Sequence, residues 1–187
     1  MTNSEQIKNV RNRIAKDAFD YDSEGRVIIE VKVTDPDYLL SPYKEDKEII
    51  SGETATFIDN LVKSAPKDKD LHLMLSCKNY TSDKQDIYKR AVENYYVNEF
   101  ADKDRQLEHN LFMAMTMLLL GILGFTLLYF MNVWNAPWIL CDLVDVAAWV
   151  FIWETVDLLM IRRVYLKLQQ KKDLKIIFAK MTFKDVE

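Results

Sequence analysis

The sequence predicts a membrane α-helical hairpin, with two transmembrane helices, that carries a small cytoplasmic α+β domain. Three observations lead there. Leu111–Met131 contains no charged residue, and at about 1.5 Å per residue it makes a helix of roughly 30 Å, the thickness of a bilayer's hydrocarbon core. A second apolar stretch, Trp138–Ile161, follows the short connector Val133–Pro137, which leaves room only for an antiparallel return. The residues before Leu111 are strongly charged and alternate strand-like and helix-like patterns. The competing reading, a core helix of a soluble protein, rarely stays apolar on every face for so long.

The predicted organisation is a cytoplasmic α+β domain over 1–105, a transmembrane hairpin over 106–161 with helices at about 111–132 and 138–161, and a basic helix plus C-terminal strand over 162–187. Composition excludes several classes. The net charge of −4 over 187 residues argues against nucleic-acid binding. Cys77 and Cys141, the two cysteines, form no CxxC pair and no disulfide framework. The N-terminus MTNSEQIKNVRNRIAKD has charges throughout and no apolar core, so no signal peptide is expected and insertion rests on the internal helices.

Along the chain, Ser4 caps an expected amphipathic helix over residues 4–19, with Ile7, Val10, Ile14 and Ala18 at helical spacing. Arg26–Thr34 alternates, with Val27, Ile29, Val31 and Val33 on one face, and reads as a half-buried strand that Asp35-Pro36-Asp37 ends. A helix is expected near Glu53–Ser64, its apolar side made of Phe57, Ile58, Leu61 and Val62. Leu71–Cys77 alternates again and predicts a second strand. Ser82-Asp83-Lys84-Gln85 fits a capping box. No proline or glycine interrupts the chain from Ser82 to Leu120, which predicts one helix running into the apolar stretch, with Ala101–Asp104 as the place for a break. Leu174–Phe183 reads as a strand that returns to the cytoplasmic sheet, a continued amphipathic helix being the alternative.

The second apolar stretch carries the unusual residues Asp142, Asp145, Glu154 and Asp157. A charge in lipid costs roughly 2.5–3.5 kcal/mol for Asp at the centre, so these are expected to be intramembrane polar groups or oligomer contacts. Asp142 and Asp157 lie about one turn from the ends. Asp145 and Glu154 lie deeper, roughly 13 Å apart along the axis. Gly121 and Gly124 are candidates for close helix packing. Trp134 and Trp138 flank the turn and are expected at the headgroup level. Arg162, Arg163 and Lys167 form a basic anchor just past the second helix, which predicts that both termini are cytoplasmic. His72 and His109, the two histidines, have no ligand or triad spacing; His72 is expected to point outward from its strand.

This pattern resembles a family of uncharacterised bacterial membrane proteins with a cytoplasmic α+β segment and a two-helix transmembrane hairpin. The residues that carry the resemblance are the strand LHLML at Leu71–Leu75, Asp142, the W-x-x-x-W spacing of Trp149 and Trp153, Asp157, and Arg162-Arg163. Where many members have Arg-Pro after the second tryptophan, this chain has Glu154-Thr155. The resemblance spans roughly residues 50–183 and implies a shared architecture in a bacterial inner membrane, with no activity attached. The expected function is that of a self-associating integral membrane protein with a structural, scaffolding or signalling role. The alternative is a small oligomeric ion or proton conductor built on the acidic residues. No enzyme activity, cofactor, metal or nucleic-acid partner is expected; the expected partners are the lipid bilayer and further copies of the chain.

Overall fold

The computed structural model describes residues 4–5, 19–33, 38–43, 47–66, 68–77 and 82–185. The amphipathic helix expected over 4–19 and the Asp35-Pro36-Asp37 turn lie outside, or almost wholly outside, the described residues. The chain is mostly helical with a small three-stranded sheet. In order it forms β1 (Val27–Val33), α1 (Gly52–Ser64), β2 (Leu71–Cys77), α2 (Ser82–Val133) and α3 (Trp138–Val156), then a π-helical segment (Asp157–Arg162), α4 (Arg163–Ile177) and β3 (Lys180–Asp185). It divides into two compact units, residues 1–99 with 172–187, and residues 100–171.

In the first unit the sheet order is β1-β2-β3 and both pairings are parallel, with Val27 opposite Leu71 and His72 opposite Lys180. Parallel neighbours need crossover connections. The α1 helix makes the first crossover. The second connection, from Cys77 to Lys180, contains α2, α3, the π-helical segment and α4. The α+β expectation is therefore corrected to strands joined through helices. The returning strand also starts later than expected, because Leu174–Ile177 complete α4, where Ile176 is fully buried.

The alternating face of Val27, Ile29, Val31, Leu71, Leu73 and Leu75 forms the core together with Ala55, Ile58 and Val62 of α1 and Tyr88, Ala91, Val92 and Tyr96 of α2. Phe57, expected on the apolar side of α1, is half exposed instead. Ser51 caps α1 by accepting from the Thr54 amide at 3.2 Å. Tyr96 donates its hydroxyl to the Ala55 carbonyl and to Asp59 Oδ1 at 3.1 Å, and Lys172 Nζ donates to Asp59 Oδ2 at 2.7 Å. Burial, then the neighbouring Asp59 charge, holds the Tyr96 phenol far above its ordinary range, so it stays a donor. These bonds tie α1, α2 and the end of α4 together.

In the second unit α2 continues without a break through Ala101–Asp104. Lys84–Val133 is long and apolar enough to cross a membrane: its best stretch has mean hydropathy 2.3 and is only 11 % buried. It is the one such helix among the described residues. The expected second transmembrane helix does not meet the same measure, because Asp142, Asp145 and Glu154 fall within the 19 residues of α3. The α2 helix ends in a Schellman motif: the Ala136 amide donates to the Met131 carbonyl and the Asn135 amide to the Asn132 carbonyl. Asn135 takes the left-handed conformation that this motif requires, at φ 54°, which asparagine tolerates better than most residues.

Candidate functional site

The α3 helix packs antiparallel on the second half of α2 along a seam of small residues. A Cβ placed on Gly121 would meet Ile152 Cδ1 at 2.7 Å, and one on Gly124 would meet Ala148 Cβ at 2.8 Å. Ala114 and Ala148 are almost fully buried in this seam. The Thr155 hydroxyl donates within its own helix to Phe151 O at 2.9 Å and across to Ala114 O at 3.4 Å. Phe125 and Trp149 meet edge to face at 5.6 Å. Both glycines are thus used within the chain, against its own next helix.

The four acids of this region divide sharply. Arg162 Nε donates to Asp157 Oδ2 at 2.7 Å and Arg162 Nη2 to Glu154 Oε1 at 3.2 Å. The π winding of residues 157–162 makes this possible. It stacks residues five apart, so Asp157 lies over Arg162, and it turns Arg162 toward Glu154, eight residues earlier. Helical side chains lean toward the N-terminus, which aims the guanidinium back at both carboxylates. Arg162, expected to serve with Arg163 and Lys167 in a basic anchor, is instead the counter-ion of Glu154 and Asp157. Asp145 is half-buried and Asp142 exposed, and neither carboxyl has a hydrogen bond or ion pair among the described residues.

Asp142 and Asp145 share a stripe with Trp138, Trp149 and Trp153, at successive spacings of four, three, four and four. Such spacings line up on one flank of a helix. Trp138 is 72 %, Trp149 50 % and Trp153 67 % exposed, and Trp134 in the turn is 74 % exposed. Arg163, Lys167 and Lys171 are exposed along one flank of α4. Sequence reasoning missed the Glu154–Arg162 pair, because i,i+8 is not a contact spacing in an α-helix.

In the first unit, Asp22, His72 and Thr182 form a hydrogen-bonded chain. His72 Nδ1 lies 3.2 Å from Asp22 Oδ2, and His72 Nε2 lies 2.8 Å from Thr182 Oγ1. His72, expected to point outward, is 7 % exposed. It sits on the central strand, between β1 and β3, with Asp22 and Thr182 against its ring. The order carboxylate–imidazole–hydroxyl is that of a nucleophilic triad. Thr182, however, lines neither the cavity of about 500 Å³ bounded by Glu24, Arg26, Asp70, Leu71, Phe178 and Lys180 nor that of about 460 Å³ bounded by residues such as Glu30, Met74 and Lys184. The chain of bonds is a lock that joins the loop before β1 to β2 and β3. His109 is exposed. Among the described residues no group of three or more His, Cys, Asp or Glu side chains is placed to hold a metal.

Two carboxyls of this sheet face lie below the ordinary carboxylate range. The Arg26 amide, bonded to Asp22 Oδ1 at 2.9 Å, is the main cause for Asp22, helped by the Glu24 amide, the Arg26 charge and His72. For Glu30 the main cause is the Ser76 hydroxyl at 2.9 Å, helped by Lys32 and Lys184. A pKa lowered by folding contributes stability above the unfolded pKa, and that contribution is lost as pH falls through the folded one. The urea midpoint of the protein should therefore fall on acidification through and below the ordinary carboxylate range. Asp22→Asn should lower the midpoint at neutral pH and flatten the acid side of the curve. An unchanged acid slope in the variant would remove Asp22 from this account.

Comparison with family models, with curated proteins and with solved structures finds no match for this chain.

Proposed function

We propose that this chain is a bilayer-spanning protein whose α2–α3 hairpin anchors the parallel-sheet domain at the cytoplasmic face of a bacterial inner membrane, and that it works as a self-associating scaffold. The membrane part is supported by the apolar half of α2, which leaves Phe112, Met115, Leu119, Ile122 and Leu123 largely exposed. A soluble protein rarely exposes so large an apolar face. In this reading α3 crosses with α2, its acids being accommodated one by one. Glu154 and Asp157 share Arg162, which lies at the inner end, where a long cation reaches the interface. The basic residues after α3 support a cytoplasmic side for that end, and for both termini with it.

The self-association rests on Asp145. Its carboxyl has no counter-group among the described residues and lies on the exposed tryptophan stripe. A carboxyl in hydrocarbon needs a partner. Copies inserted in one membrane share one orientation, so a two-fold axis along the membrane normal brings like levels together. Asp145 of one copy then lies about 6 Å in height from Trp149 of the other, within reach of a hydrogen bond from the indole N–H. The sharing of Arg162 by Glu154 and Asp157 weighs against the conducting alternative, because it leaves no free acid on α3 between Asp145 and the inner end. Native mass measurement in mild detergent should find a dimer or larger assembly. Asp145→Leu with Trp149→Leu should reduce it to the monomer, while Trp138→Leu at the turn leaves it intact. A monomeric parent protein, or an assembly unaffected by the double substitution, would overturn this reading.

A further inference from the structure

We infer that α4 carries a binding strip for the headgroups of anionic lipids, formed by Arg163, Lys167 and Lys171; the inference rests on the membrane reading above. These residues recur at i, i+4 and i+8 and so form one row along the helix. All three are exposed, and none has an ion pair or hydrogen bond among the described residues. Beside the row lie Val164 and Leu168, 57 % and 56 % exposed, with Tyr165 at 63 % beyond them. An apolar strip beside a cationic one is the amphipathic surface that suits a headgroup–acyl boundary.

Direction matters more than count. The α4 helix runs away from the bilayer, and helical side chains lean toward the N-terminus of their helix. The three cations therefore lean back toward the membrane. Arg163 and Lys171 are about 12 Å apart along the axis, and the long stem of Lys171 shortens that distance. The α2 helix runs the opposite way. Its acids Asp102, Asp104 and Glu108 precede the apolar run, so the same geometry tilts them away from the headgroups. Asp102 is also engaged by Arg105 at 3.4 Å, and Asp104 by Gln170 at 3.3 Å. The antiparallel arrangement thus tilts the α4 row toward the lipid and the α2 acids, with Arg105 beside them, away from it. Arg162 takes no part, being held by Glu154 and Asp157.

The test places the full chain in nanodiscs of phosphatidylcholine mixed with phosphatidylglycerol and counts the lipids released with it by native mass spectrometry. Phosphatidylglycerol should be enriched over its bulk share. Each cation removed should weaken its retention about fivefold. The variant Arg163→Gln, Lys167→Gln, Lys171→Gln should return to the bulk ratio, while Lys63→Gln, Lys89→Gln, Arg90→Gln should match the parent. For the unsubstituted protein the enrichment should fall steeply with added salt, a readout that does not depend on how the variants fold. Enrichment that survives the triple substitution or high salt would overturn the strip. So would its loss to millimolar inorganic phosphate, which would assign the row to a free anion. A chain stripped from bilayers by alkaline carbonate overturns the membrane reading beneath; one that stays and shows no enrichment overturns this inference alone.

Discussion

Removing residues 178–187 should collapse the first unit. The β3 strand pairs along β2 from His72 to Cys77, so its loss turns the central strand into an open edge, a template for aggregation. Met181 and Phe183 pack partly against the core, and deleting side chains of this kind costs roughly 2–4 kcal/mol together when they are half-buried. The Thr182 hydroxyl that completes the Asp22–His72 chain goes with them. The expected result is a protein whose sheet domain is digested rapidly by protease and aggregates. A truncated chain with the melting temperature and protease resistance of the parent would show that β1 and β2 stand without β3.

The second large effect is expected at Gly124. Leucine there should force α2 and α3 apart, at a cost of about 1–3 kcal/mol or more. A Cβ on Gly124 meets Ala148 Cβ at 2.8 Å and Ala148 Cα at 3.3 Å, atoms that move only with the helix backbone. Gly121 differs. Its Cβ would meet the outer atoms of Ile152, at 2.7 Å and 3.0 Å, and a side-chain end yields by changing rotamer. Gly121→Ala should therefore be tolerated, aided by the better helix propensity of alanine, whereas Gly124→Ala should already destabilise and Gly124→Leu far more so. A crosslink between cysteines placed at Phe125 and Trp149 would report the separation. Equal melting temperatures for the two alanine variants would show that the seam is softer than its geometry implies.

Local pattern alone determined much of this protein. The uncharged run from Leu111 to Met131 marked the helix that is apolar enough to cross a bilayer. The alternation of Val27, Ile29, Val31 and of Leu71, Leu73, Leu75 marked two strands to within a residue, because side-chain period is written in consecutive residues. The break-free stretch after Ser82 foretold one long helix. Tertiary structure decided what those elements do to each other. The parallel order β1-β2-β3 depends on the path of a connection that leaves at Cys77 and returns at Lys180, which no short window contains. His72 is buried because β2 came to lie between β1 and β3, which brought Asp22 and Thr182 against its ring. Glu154 found Arg162 because six residues wound as a π-helix and changed the angular step between them, and an α-helical wheel drawn from the sequence places the two apart. The same change of pitch gave Glu154 a counter-ion and left Asp145 with none among the described residues.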